Sequence, residues 1–163
     1  MTPGSDAGAA SLGPAVVEAV LGASRVLVAV AARSLADLAE EVTLPQYRAL
    51  VVLASKGPQR VASLAEALEV TPPTATRMCD RLVRKGLVRR RTSREDRREV
   101  RVFLTSAGID LVAEVTRRRR EEIERLLVRV PPESQAALVE LFGVLAKAAG
   151  EPSERDWALG WEA

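Results

Sequence analysis

Arg77, Arg81, Arg84, Lys85, Arg89, Arg90, Arg91, Arg94, Arg97, Arg98 and Arg101 place eleven cations within 25 residues. Only four acids accompany them: Asp80, Glu95, Asp96 and Glu99. This window carries net +7 in a chain whose total is +2, which leaves −5 for all other residues. Positive charge concentrated in this way attracts a polyanion, so the first chemistry it suggests is nucleic-acid binding. Catalysis has little to work with. The chain has no His and a single Cys, Cys79, which excludes a Cys/His zinc site and every acid–base pair that needs an imidazole. Carboxylate pairs such as Glu40-Glu41 and Glu121-Glu122 lie in polar helical stretches without a glycine-rich loop or nucleophile motif beside them. No enzyme activity, cofactor or metal is expected.

The elements that hold these cations can be read from patterning. Thr71-Pro72-Pro73 is a helix start, with a hydroxyl to cap and prolines where the N–H has no partner. The helix is expected to run to Lys85 and stop at Gly86. Ala75, Met78, Cys79, Leu82 and Val83 form its packed face. Thr74, Thr76, Arg77, Arg81 and Arg84 lie opposite, and the helix start is expected to offer free N–H groups to phosphate. Before it, Ala62 to Leu68 reads as a short helix and Glu69-Val70-Thr71 as a turn. Thr43-Leu44-Pro45-Gln46 reads as a capping box opening a helix that Gly57-Pro58 ends. After it, Leu87–Thr92 and Val100–Leu104 read as two strands around the charged connector Ser93–Glu99, a hairpin with a basic tip. Two short helices, a tight turn and a basic hairpin make a winged helix-turn-helix, whose second helix fits the major groove. Arg81, Arg84, Arg89, Arg90 and Arg91 are placed to meet phosphates, with Arg94 and Arg97 at the hairpin tip.

Several motifs resemble the multiple-antibiotic-resistance regulator (MarR) family. They are Leu44-Pro45-Gln46-Tyr47, Leu64-Ala65-Glu66, Thr74-Ala75-Thr76-Arg77, Asp80-Arg81-Leu82, Lys85-Gly86-Leu87-Val88, and Asp96-Arg97-Arg98 through Leu104-Thr105. The resemblance spans roughly residues 14–149 and is most specific in the last of these segments. It implies an obligate homodimer with two winged lobes, binding to palindromic double-stranded operators, and in many members repression relieved by a small phenolic or lipophilic ligand. It also implies that Thr74, Thr76 and Arg77 face the groove, that Arg98 enters the minor groove, and that Asp96 orients Arg98. Ala62 departs from the pattern, standing where many relatives carry a capping Ser or Thr. A winged helix that binds protein instead of DNA is the alternative. Its expected signature, loss of the recognition-helix hydroxyls and wing arginine, is absent.

The remaining chain is helical. Pro14 to Glu41 reads as one helix with Val16, Val20, Leu27, Val28, Leu35 and Leu38 inside, apolar on nearly every face over its first two-thirds. Glu18, Ser24 and Arg25 make it too polar for a membrane span, so a partner subunit is expected to cover it. Thr105 opens a long helix to about Arg129, and Pro131-Pro132 opens another that ends near Gly150. The chain is thus expected to be mainly α with a small β-hairpin wing. Residues 1–13 are expected to form a disordered tail, 14–42 and 106–150 the dimerisation region, 43–105 the DNA-binding lobe, and 151–163 an acidic tail. With no signal-like run at residues 1–13, a cytoplasmic location is expected. An aromatic or lipophilic effector is expected at the junction of the first, second and long helices, among Leu27, Val30, Tyr47, Leu50, Val51 and Leu111. Arg25 or Arg48 would hold its anionic group. Cys79 reads as a buried structural thiol, Arg117–Arg120 as an exposed ion-paired run, and Trp157 and Trp161 as packing onto the dimer.

Overall fold

The structure, a computed structural model, describes residues 13–36, 42–92, 100–151 and 153. Its elements in chain order are α1 (Pro14–Leu35), α2 (Leu44–Lys56), β1 (Gln59–Arg60), α3 (Val61–Ala67), α4 (Pro72–Arg84), β2 (Val88–Thr92), β3 (Val100–Leu104), α5 (Ser106–Leu127) and α6 (Pro132–Ala148). The three strands form one antiparallel sheet in the order β1-β3-β2. This is the mainly helical winged helix-turn-helix expected from the sequence, with one addition. Gln59 and Arg60 pair with Val102 and Arg101, which gives the hairpin a third strand too short to show any alternation of its own.

Helix ends follow local chemistry. Gln46 Oε1 accepts the Thr43 N–H at 3.2 Å and the Thr43 side chain faces the Gln46 N–H in return, so the expected capping box forms. Helix α3 begins after Arg60, one residue earlier than expected, so Ala62 does not occupy the capping position and weakens no cap. Helices α3 and α4 end alike. Val70 N–H reaches Ala65 O and Glu69 N–H reaches Glu66 O; Leu87 N–H reaches Leu82 O and Gly86 N–H reaches Val83 O. This paired closure needs a left-handed residue, supplied by Gly86 (φ 70°) after α4 and by Glu69 (φ 53°) after α3.

The core lies where α2, α3, α4, the sheet and the first half of α5 converge. Leu50, Leu64, Leu82, Val102, Val112 and Val115 are its most enclosed members. Helix α5 is seated tightly at its start. The Thr105 hydroxyl donates to Gly86 O at 2.6 Å and accepts from Gly108 N–H at 3.1 Å. At Gly108 a Cβ would come within 2.1 Å of Leu87 O.

Helix α1 departs from expectation in one respect, its apolar length. Its extension to Glu41, including Leu38, lies outside the described residues. With 22 residues and a mean hydropathy of 1.9, it is long and apolar enough to cross a membrane by length and composition, because Glu18 and Arg25 offset too little of its Val and Ala content. Its final turns are docked on the lobe nonetheless. Val30, Ser34 and Leu35 are buried, and Arg33 bridges to Glu122 of α5 at 3.1 Å. The earlier turns leave Val16, Val17, Val20, Leu21, Leu27 and Val28 exposed in the single chain. Helix α6 has no buried residue and exposes Val139, Leu141, Val144 and Leu145.

Candidate nucleic-acid interface

The recognition helix α4 has two chemically distinct sides. Ala75, Cys79 and Leu82 are buried and Met78 packs against the core. Val83, expected on that packed face, is 39% exposed. It sits one position past Leu82, at the margin of the apolar stripe. Outward, Thr76, Arg77, Arg81 and Arg84 are exposed and Thr74 is half-buried. Thr74, Arg77, Arg81 and Arg84 fall in one row along the helix, as three- and four-residue steps require.

Hydrogen bonds within the helix set the first of these side chains in place. Arg77 Nη2 donates to Thr74 Oγ1 at 3.3 Å, and the Thr71 and Thr74 hydroxyls meet at 2.9 Å. Thr76 donates to Pro72 O at 2.9 Å, which leaves its methyl group and oxygen lone pairs facing outward. Of the four residues at this helix start, three offer no free N–H. Pro72 and Pro73 have none, and the Thr74 N–H is bonded to Thr71 O at 2.9 Å. What remains for a phosphate is mainly side-chain charge and the end of the helix dipole.

The three arginines of β2 do not act as a set. Side chains alternate across a strand, so Arg90 shares a face with the buried Val88 while Arg89 and Arg91 point the other way. Arg89 and Arg91 are exposed on the opposite face of the strand. Arg90 lies against α4 and joins Asp80 with Nη1 to Oδ1 at 2.6 Å. Its charge also acts on the Cys79 thiol. Burial pushes the Cys79 thiol above its ordinary value, Arg90 opposes that shift, and Asp80 adds to it. The thiol is buried, as expected. Arg94, Asp96, Arg97 and Arg98, expected at the hairpin tip, lie outside the described residues, as do Trp157 and Trp161.

The structure does not gather the expected effector residues into one lining. Val30, Tyr47, Leu50 and Leu111 are packed core, Val51 is half-buried against it, and Arg25, Leu27 and Arg48 are exposed. Apolar side chains at an inter-helix junction fill it before they line it. The cation at Tyr47 is neither Arg25 nor Arg48. Arg119 of α5 sits 5.5 Å from the centre of the Tyr47 ring, and its buried Nε has no hydrogen-bond partner among the described residues. Arg119 was legible in principle, because Val112, Val115 and Arg119 fall on one stripe of α5. Its neighbours behave as expected of an ion-paired run: Arg117 joins Glu114 and Glu121, Arg118 joins Glu114, and Arg125 joins Glu122.

Comparison with known proteins agrees with this geometry. The model of the MarR family matches residues 42–100, the span from just before α2 to the start of β3. The HTH-type transcriptional repressor MdtR of Bacillus subtilis is 31% identical over 119 residues, 73% of this chain and 77% of its own. The crystal structure of RV1404 from Mycobacterium tuberculosis superposes with a TM-score of 0.81 at 41% identity, covering 86% of this chain and 96% of that one. A variant of S. aureus MepR bound to an oligodeoxyribonucleotide shares the fold, with a TM-score of 0.60 at 23% identity over 82% of this chain and 97% of that one. The chain therefore belongs to the MarR family of winged helix-turn-helix, DNA-binding transcriptional regulators and is not an enzyme.

Proposed function

We propose that this chain acts in the cytoplasm as a homodimeric repressor that binds a palindromic operator and releases it when a small lipophilic or aromatic ligand binds. The observation that carries the DNA-binding mode is the exposed cationic row of Arg77, Arg81 and Arg84 along α4, with Arg89 and Arg91 also exposed on β2. Thr74, Thr76 and Arg77 supply base preference, the other arginines hold phosphates, and Arg94, Asp96, Arg97 and Arg98 continue the contact from the wing. The repressor assignment is supported by the relative MdtR, a transcriptional repressor.

Dimerisation is supported by the apolar faces that α1 and α6 leave uncovered, since exposed apolar area of that extent marks an interface. A two-fold dimer would set two α4 helices about 34 Å apart, or a small multiple of that distance, to match successive turns of DNA. An effector would approach from the exposed side of the α1–α2 junction, by Arg25, Leu27 and Arg48, because the residues behind them are closed core. To release DNA it must bind the DNA-free geometry more tightly than the DNA-bound one.

The test begins with sequencing the genomic fragments that the purified protein retains. A two-fold-related site among them, bound by one dimer, is the expected result; retention of fragments without shared sequence overturns the operator reading. Salicylate-like aromatic acids are then titrated into the complex. Release of DNA that Arg25→Ala or Arg48→Ala abolishes is expected. Binding without release shows that the ligand does not distinguish the two geometries.

A further inference from the structure

Of the three arginines of β2, Arg90 is the one that the strand pleat turns toward α4. It leaves β2 on the face of Val88, crosses to α4, and meets Asp80 at 2.6 Å with both side chains partly exposed, 34% and 41%. Its cross-strand neighbour is Val102, which is fully buried, so the base of the Arg90 side chain is anchored over the core. Asp80 lies on α4 between Arg77 and Arg81, beside the row of cations offered to DNA. A carboxylate at that place lowers the local positive potential, which on electrostatic grounds alone opposes DNA binding. From this pair we infer that Arg90 and Asp80 form a strut that fixes the wing strand against the recognition helix, and that Arg90 is a positioning residue and not a phosphate contact.

The physical reason is that α4 and β2 touch DNA at different places and must keep a fixed separation and angle to do so together. The connection between them is only Lys85-Gly86-Leu87, with a left-handed glycine at its centre. Packing of Leu82 and Val88 holds the two elements from the core side. The strut holds them from the outer side, near the DNA-facing surface. A guanidinium serves better than an ammonium because its planar fork is pre-organised to meet the Asp80 carboxylate.

The inference rests on the DNA-binding reading, but its test separates the two. Wild type, Asp80→Asn, Arg90→Ala and the double variant are compared for affinity to the operator fragment and to random DNA across a salt series. Loss of the strut should weaken operator binding by about three- to fivefold per lobe, or about tenfold to 25-fold for a dimer. The double variant should lose no more than either single one. Asp80→Asn should weaken binding although it removes a negative charge, which is opposite in sign to simple electrostatics. The salt slope of Arg90→Ala should match wild type. If Arg90 met phosphate, the slope would fall by about 0.9 per lobe. Tighter or unchanged operator binding by Asp80→Asn overturns the strut, and so does a slope reduced by about 2 in dimeric Arg90→Ala. The same four proteins, melted without DNA, should show coupling between the two substitutions; additive midpoints overturn the strut independently. Failure of wild type to bind any DNA would instead overturn the functional reading.

Discussion

At the residue scale, sequence discrimination and affinity rest on different side chains. Arg77 is held by Thr74 at the start of α4, where a side chain reaches furthest into the major groove. Arg77→Ala should weaken operator binding by about 1–3 kcal/mol and change binding to random DNA far less, read by fluorescence anisotropy on both. Equal losses on the two would show that Arg77 meets only phosphate. Glu114 shows a different use of charge. Hydrogen bonds from Arg117 and then Arg118 hold its carboxyl down at about 2, against an ordinary value of 4.5. A carboxyl depressed in the folded state contributes stability above 4.5 that is lost as pH falls toward 2. Thermal melts should therefore place wild type above Glu114→Gln at pH 5, with the gap closing as pH drops to about 2. A gap that does not change with pH would assign the effect to packing.

At the scale of elements, the turns on either side of α4 use the same hydrogen-bonded closure with different residues, and this invites a mirrored pair of substitutions. Nothing lies within 4 Å of a Cβ at Gly86, so Gly86→Ala meets only the backbone cost of a positive φ and should lose about 1 kcal/mol. Glu69 already bears that cost, and Glu69→Gly should recover up to about 1 kcal/mol, less the entropy that glycine adds to the unfolded chain. Gly108 differs in kind. Its φ is ordinary, but a Cβ would meet the Leu87 carbonyl, a backbone atom that cannot rotate away. Gly108→Ala should cost about 1–3 kcal/mol by forcing α5 off the end of α4, measured by chemical denaturation. A neutral Gly108→Ala would mean that the start of α5 is free to shift.

At the scale of the whole molecule, the lobe is well packed while α6 and the first turns of α1 are not. Two long helices with Val16, Val20, Leu21, Leu141, Val144 and Leu145 in contact with water are poorly stabilised as a monomer. Light scattering at micromolar concentration should give twice the mass of one chain. Leu141→Glu combined with Leu145→Glu should shift the protein toward monomer and should weaken operator binding far more than random-DNA binding, since two lobes must act together. Monomeric wild type that still binds the operator would refute the two-fold arrangement.

Local pattern settled most of the helices, both long strands, the stop at Gly86 and the outward face of α4, because capping, turn chemistry and side-chain periodicity act within a few residues. It also located the positive charge. What it left open were relations between elements. That Gln59 and Arg60 join the sheet depends on β3, 40 residues away, since a two-residue strand carries no period of its own. That the start of α4 has few N–H groups to offer was legible from Pro72 and Pro73, which have none, yet helix polarity alone suggested an anion site. Arg119 looked like one more exposed cation until packing set it over Tyr47. Arg89, Arg90 and Arg91 are identical in sequence and differ in the structure only by the pleat. The pleat could have been anticipated, but which face of β2 meets α4 was fixed by burial of Val88 and Val102 in a shared core, and that is a property of the assembled lobe.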